Sequence, residues 1–292
     1  MTILQAIILG IVQGLTEFIP VSSTAHLVFA ARAVGLYNGL NKTLQAEQTT
    51  ATIAVIQLGT LLAVIIYFLR DIISILRAFI RDHIKLLTTK KSASARLSGD
   101  AWMGWLVIIG SIPVGVVGLL FKKQIEGTFT KNLWVIATMM IVVAVLLAAS
   151  EIVGKRRRDM NQLGIKDALA VGFAQVLALI PGSSRSGSTI MAGLFAGETR
   201  ETAARFSFLL SMPAIAASGL LELKEAITKL PPGSYRSLVV ATVVSGFVGY
   251  LSIWFLLRFL RSHSTGVFIA YRMFIGGAIL VALYFGYLLA TI

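Results

Sequence analysis

Pro20-Val21-Ser22-Ser23-Thr24-Ala25-His26 and Pro181-Gly182-Ser183-Ser184-Arg185-Ser186-Gly187-Ser188-Thr189 are the two stretches on which the reading of this chain turns. Each is a run of hydroxyl-bearing residues behind a proline, set inside apolar sequence. The stretch leading into the first, Ala6-Ile-Ile-Leu-Gly10-Ile-Val-Gln13, matches the stretch leading into the second, Ala168-Leu-Ala-Val-Gly172-Phe-Ala-Gln175. With one gap, both run on to a proline and a Ser-Ser pair, Pro20/Ser22-Ser23 and Pro181/Ser183-Ser184. The chain therefore carries an internal repeat, with a polar tip in each copy.

The setting of those tips is a bilayer. Of the 292 residues, 57% are hydrophobic and only 13% charged, with a mean hydropathy of +0.84. Soluble domains carry about 25% charged residues. A helix needs roughly 20 apolar residues to span, and six segments reach that length: about 51–69, 102–121, 133–150, 203–221, 237–257 and 266–289. The flanks of the two polar tips, 3–19 with 27–36 and 165–180 with 188–197, are shorter or interrupted. Such pairs read as re-entrant helical hairpins, 1–36 and 162–198. The expected fold is an all-α polytopic membrane protein, a single membrane domain over 1–292. Its first repeat covers 1–151 and its second 162–292, each a hairpin followed by three spans. A hairpin plus an odd number of spans turns the second copy upside down, which makes an inverted-topology repeat with a site near the midplane.

Charge sets the orientation. The net charge is +13. The loop 70–100 holds Arg70, Arg77, Arg81, Lys85, Lys90, Lys91 and Arg96, and Lys155 to Arg158 follow the third span. With Lys166, Arg200, Arg205, Arg258 and Arg261 that side carries sixteen basic residues, against eight on the other. The basic side is expected to be cytoplasmic, with both termini outside. Nucleic acid is not an expected partner, because the basic runs lack interleaved aromatics and a binding motif. No basic region precedes the first apolar stretch, so no cleaved signal peptide is expected. The absence of cysteine excludes disulfides and Cys-based metal sites, and His26, His83 and His263 are scattered. The small-residue faces at Gly110/Gly115/Gly118 and Gly276/Gly277 suit close packing within a monomer or in a homodimer.

The chemistry sits at the tips. Gln13 and Glu17, four apart, share a helix face. A carboxylate in an apolar segment is costly and marks either a functional group or an ion pair, with Arg185 or Arg272 as partner. Pro20 ends the first helix, and Ser22 or Ser23 can cap the second. Ser23 and His26, three apart at a helix start, put a hydroxyl and an imidazole on one face, the minimum for an activated nucleophile. The plainer reading is a capping serine with a histidine bonded to a backbone carbonyl. The second tip offers the Arg185 guanidinium, the hydroxyls of Ser183, Ser184, Ser186 and Thr189, and a helix N-terminus, the ingredients of a phosphate cradle. A carboxylate beside phosphate calls for a bridging divalent cation. Phosphoryl transfer on a membrane-resident phosphate ester follows.

At these residues the sequence resembles the undecaprenyl-diphosphate phosphatase family of the bacitracin-resistance type. The first family motif stands here as Gln13-Gly14-Leu15-Thr16-Glu17-Phe18-Ile19-Pro20-Val21-Ser22-Ser23-Thr24-Ala25-His26, and the second as Pro181 to Thr189. Likeness extends to Ile56-Gln57-Leu58-Gly59, Phe206 to Leu210 and Tyr271-Arg272. The resemblance implies hydrolysis of a C55 polyprenyl diphosphate to the monophosphate. That product re-enters peptidoglycan synthesis, and the activity confers bacitracin resistance. It also implies a bacterial inner-membrane enzyme with a site open to the outer face, dependent on a divalent cation, Mg or Ca. By the same resemblance Arg185 holds the diphosphate, Glu17 helps bind the metal, and Ser23 is the nucleophile with His26 as its base. In the alternative, His26 or water attacks. Gln13, Ser22, Thr24, Ser183, Ser184, Ser186 and Thr189 complete the expected binding residues. Gln13 stands where the family commonly has a glutamate, Ala25 where it has a glycine, and Ile53 where an acidic residue is expected, with Glu47 and Gln48 nearby. A lipid-phosphate flippase using the same cradle is the rival from another class.

Overall fold

A computed structural model describes residues 1–39, 41–88, 97–121, 132–230 and 234–290. Apart from an isolated bridge between Arg158 and Glu198 and a short 3₁₀ turn, Met160–Gln162, its regular elements are α-helices. The first half holds α1 (Ile3–Phe18), α2 (Ser23–Ala33), α3 (Lys42–Tyr67), α4 (Leu69–Thr88), α5 (Gly99–Leu120) and α6 (Leu133–Val153). The second holds α7 (Ile165–Leu177), α8 (Arg185–Phe195), α9 (Arg200–Lys229), α10 (Tyr235–Leu260) and α11 (Gly266–Tyr284).

Local chemistry sets the helix ends. Thr2 and Gln5 close a capping box on α1, and Asn41, Ser98 and Asn132 accept from the first-turn amides of α3, α5 and α6. α1 stops because Ile19, next to Pro20, is extended. Six helices are long and apolar enough to cross a membrane, over 47–67, 99–120, 133–153, 200–220, 235–260 and 266–284. These are the six spans read from the sequence, shifted by a few residues. The chain is a multi-pass membrane protein.

The helices α1–α2 and α7–α8 form hairpins whose ends come together. Gln5 Nε2 donates to the Val34 carbonyl across the first. Arg158 joins Asp167 at the start of α7 to the Ala196 carbonyl at the end of α8. Each leading helix packs on a span from the other half of the chain, α1 on α10 and α7 on α5. The approach is closest at glycine: a Cβ on Gly172 would lie 2.3 Å from the Gly110 carbonyl oxygen. Gly110 and Gly276 thus meet neighbours within the chain, whereas Gly115, Gly118 and Gly277 face open space. Phe18 at the foot of α1 seats edge-on against Phe208 of α9, 5.3 Å between centroids.

One segment departs from the sequence reading. The basic stretch after the first span is largely a helix, α4, over Leu69–Thr88, and not a loop over 70–100. It is too polar on average to register as a span, and Lys90, Lys91 and Arg96 lie outside the described residues. The end of the bundle on which it sits is laced by charge. Glu151 takes Arg156 and Arg200, Asp71 takes Arg205, and Glu201 takes Arg261.

Candidate active site

Glu17, the last carboxylate of α1, has a side chain 3% exposed. Burial at that level requires partners, and it has three. The Arg185 guanidinium and the Gln57 amide donate to Oε1, the latter at 3.2 Å. Gln13 Nε2 donates to Oε2 at 2.9 Å and reaches Thr60 Oγ1 at 3.4 Å. Glu17 thus bridges α1, α3 and the tip of the second hairpin. Of the two arginines weighed from sequence, Arg185 is its partner. Gln13 Oε1 is buried without a hydrogen bond.

Arg272 holds the tips together instead. It is fully buried on α11, and among the described residues its partners are all carbonyls. Its Nη2 donates to the Gly182 and Ser183 oxygens at 2.9 and 3.1 Å, and Nη1 to the Pro20 oxygen at 3.4 Å. Nε reaches the Met140 oxygen of α6 at 3.1 Å. A buried cation with no carboxylate partner among the described residues gives the place where the tips meet a positive potential.

Both tips present helix N-termini. Ser22 and Ser184, the N-cap residues of α2 and α8, both adopt left-handed backbone, φ 78° and 65°. Such strain in a non-glycine residue persists only where the surroundings impose it, and it clusters at active sites. Ser184 Oγ accepts from Gly187 N at 3.2 Å, whereas Ser22 makes no side-chain cap. The amides opening α2 are therefore uncapped by any side chain, a feature that binds anions. The cap positions align Ser22 with Ser184, one residue off the Ser-Ser pairing read from the sequence, so Ser23 is the repeat counterpart of Arg185.

The remaining expected residues divide by where their hydroxyls go. Ser183 donates to the Ile180 carbonyl, and Thr189 bonds the Arg185 carbonyl and Ser207, so both are committed to the fold. Ser186 contacts Ser184 Oγ at 3.2 Å. Ser23 is half-buried and Thr24 exposed, and neither hydroxyl has a partner among the described residues. His26 does not face Ser23. Its Nδ1 lies 2.7 Å from the Ser22 carbonyl and its Nε2 2.6 Å from the Tyr271 hydroxyl, with the two rings stacked. A carbonyl only accepts, so Nδ1 carries the proton, and in the neutral imidazole Nε2 holds the lone pair. Beside this pair an apolar cleft of about 370 Å³ is lined by Phe29, Ile275 and Ile279.

From the sequence Thr60 was not singled out, Gln57 and Tyr271 entered only within the resemblance, and Arg272 was weighed as a partner for Glu17 rather than as the residue that joins the tips. The signal for Gln57 was an amide inside a span. Ile53 packs in the apolar cluster around Ala6 and Leu9, and Glu47 is exposed. No group of three or more His, Cys, Asp or Glu side chains is poised for a metal among the described residues.

A family model described as bacitracin resistance protein BacA matches residues 6–278. The chain belongs to the BacA family. It is 50% identical over 280 residues to the undecaprenyl-diphosphatase of Syntrophobacter fumaroxidans, covering 96% of this chain and 97% of that one. It is 45% identical to proteins of the same name from Chlorobium luteolum, covering 97% of this chain and 98% of that one, and from Mycolicibacterium gilvum, covering 97% of each. Both hairpin tips, Glu17, Arg185 and Arg272 fall inside the region matched to BacA.

Proposed function

We infer that this BacA-family chain hydrolyses undecaprenyl diphosphate to undecaprenyl phosphate and phosphate, returning the lipid carrier to peptidoglycan synthesis and conferring bacitracin resistance. The observation that carries this is the meeting of Arg185, Glu17 and two helix N-termini over a buried, uncompensated Arg272. That arrangement suits a diphosphate on a lipid, and relatives at this level of identity bear the name of the reaction. Nothing favours the flippase.

The two halves form an inverted repeat with re-entrant hairpins, a reading supported by the exchanged packing of α1 on α10 and α7 on α5. With the basic end cytoplasmic, the α1–α2 hairpin enters from the outer face of the inner membrane, and the site opens there. A reporter inserted at Lys90-Lys91 is expected on the cytoplasmic side, and an external signal would reverse the orientation.

In the site, Arg185 turns from Glu17 to the diphosphate oxygens, which the uncapped amides of α2 also receive. Ser23 Oγ attacks the terminal phosphorus as the bond to the bridging oxygen breaks. Undecaprenyl phosphate leaves with the electron pair, and water then cleaves the phosphoserine. The serine proton goes to His26 Nε2, the unprotonated nitrogen, once the ring turns from Tyr271. Water attack, with Ser23 only hydrogen-bonding, is the competing route. The first isoprene units lie in the apolar cleft beside His26. Glu17 and the unpartnered Gln13 Oε1 fit, and would hold, a hard divalent cation, Mg or Ca. Such an ion, when bound, neutralises charge on the phosphate oxygens.

Purified protein is expected to release phosphate from a polyprenyl diphosphate in a cation-dependent way. Ser23→Ala, His26→Ala and Arg185→Ala are each expected to lose about 10²-fold or more. No release by the wild type with several divalent cations overturns the assignment. Substantial activity in Ser23→Ala alone removes Ser23 as the nucleophile and leaves attack to His26 or water.

A further inference from the structure

We propose that α4 lies in the membrane interface at the basic end of the bundle and binds the phosphate of an anionic glycerophospholipid in the cleft between α4 and the start of α5. No feature of the diphosphatase site uses this helix.

The sequence of α4 sorts into three faces. At about 100° per residue, Leu69, Ile73, Leu76, Ile80, Ile84 and Leu87 fall within a stripe roughly 80° wide, and all six are exposed. A second face packs on α5. Ile75 and Phe79 meet Gly104, Asp82 accepts from Ser98 N at 2.8 Å, and His83 accepts from Trp105 Nε1 at 3.0 Å. The third face, about a quarter turn from the apolar stripe, carries Arg70, Arg77, Arg81 and Lys85.

These faces define an orientation. The side chains of α4 meet α5 at Ser98, Asp100, Gly104 and Trp105, so α4 crosses the first two turns of that span. Its start is tied to the beginning of α9, where Asp71 meets Arg205 at 3.0 Å. The helix lies across the mouth of the bundle at the depth where spans begin. An apolar stripe beside a basic face is the pattern of a helix lying in the plane of the headgroups.

The basic face also borders a built cleft of about 700 Å³, lined by Arg70, Arg77, Arg81, Ser74 and the α5 N-terminus at Gly99 and Asp100. One carboxylate lines it, Asp100, which accepts from Ser74; Asp82, outside the lining, takes Arg81 and Ser98. Arg70 and Arg77 have no acidic partner among the described residues. Two unpaired guanidiniums, in excess over the single carboxylate of the lining and beside an exposed apolar stripe, match an anionic lipid, whose phosphate takes the arginines while its chains cover the leucines and isoleucines. A soluble anion would use the arginines and leave the stripe without a role.

The test is lipid retention. Full-length protein is reconstituted with equal phosphatidylglycerol and phosphatidylcholine and transferred to detergent, and bound lipid is counted by native mass spectrometry. The wild type is expected to keep phosphatidylglycerol selectively. Arg70→Gln/Arg77→Gln/Arg81→Gln is expected to lose that selectivity by about tenfold or more, while phosphate release from polyprenyl diphosphate in detergent stays at the wild-type level. The control Lys155→Gln/Arg157→Gln/Lys166→Gln removes three exposed charges from the same end and should retain the lipid. Ile80→Glu, which spares every arginine, should lose it. Unchanged retention in the arginine variant, equal loss in the control, or full displacement of the lipid by millimolar inorganic phosphate would each overturn the proposal. A thermal melt in detergent verifies that each variant is folded.

Discussion

Removing Arg185 should damage stability and catalysis through different contacts, and the two losses can be separated. In Arg185→Ala the buried Glu17 keeps only the neutral amides of Gln13 and Gln57 as donors. Breaking a buried ion pair by deleting one partner costs about 3–5 kcal/mol. Here the Arg185 side chain is 18% exposed, so water enters part of the gap and the lower end applies, about 3 kcal/mol. Catalysis should fall further, by about 10²–10³, because a preorganised charge aimed at the phosphate is lost. The double variant Glu17→Gln/Arg185→Ala removes the stranded carboxylate. It should recover about 2 kcal/mol of stability, within the range of measured coupling energies, and recover no activity. Arg185→Lys keeps the charge but not the fork, and should fall between, at about tenfold. The assays are thermal unfolding in detergent and phosphate release from a polyprenyl diphosphate. Activity of Arg185→Ala within about fivefold of wild type, with a large loss of stability, would show that Arg185 serves only to neutralise Glu17. That outcome would remove the cradle from the mechanism.

Three further outcomes follow from single contacts. Gly182→Ala would place a Cβ 2.1 Å from the Ile136 carbonyl oxygen at a φ of +92°, so the second tip must shift, and a loss of at least about 2 kcal/mol and of most activity is expected in the same two assays. Tyr271→Phe removes the hydrogen bond to His26 Nε2 while sparing the stacked ring; stability should fall by about 1 kcal/mol and activity by less than about tenfold, and a loss as deep as that of His26→Ala would place Tyr271 in the chemistry. Glu198, in the turn between α8 and α9, is fully buried with both carboxylate oxygens unpartnered; burial, reinforced by Asp167 and partly offset by Arg158, pushes its carboxyl up to about 7. The folded protein therefore holds this proton where the unfolded chain has already released it, so stability should decline as pH rises from about 4.5 to 7, by about 3 kcal/mol in all. Glu198→Gln should flatten that decline in melts recorded across the range, and an unchanged profile would refute the reasoning.

Hydropathy made the spans legible because a bilayer imposes one requirement on every residue of a crossing helix, whatever its neighbours. It failed at α4 for the same reason. A window average cannot distinguish a polar loop from a helix whose apolar and basic residues take different faces, although the 3.6-residue spacing of Leu69, Ile73, Leu76 and Ile80 was present in the sequence. The tips divide in a similar way. That Glu17 needs an arginine could be read on composition alone, since an isolated charge in apolar surroundings needs an opposite one, but only the structure chose Arg185 over Arg272. The direction of His26 could not be read in that manner. Its spacing from Ser23 permits a dyad, but one ring nitrogen is claimed by a carbonyl four residues back and the other by Tyr271, 245 residues away. Local spacing states which contacts a side chain can make. Which contact it does make depends on α11 reaching α2, and the same helix supplies Arg272, whose carbonyl partners span both halves of the chain. If Ser23 is the nucleophile, the ring must leave Tyr271 for it. Tyr271→Phe and Ser23→Ala therefore probe one motion from its two ends.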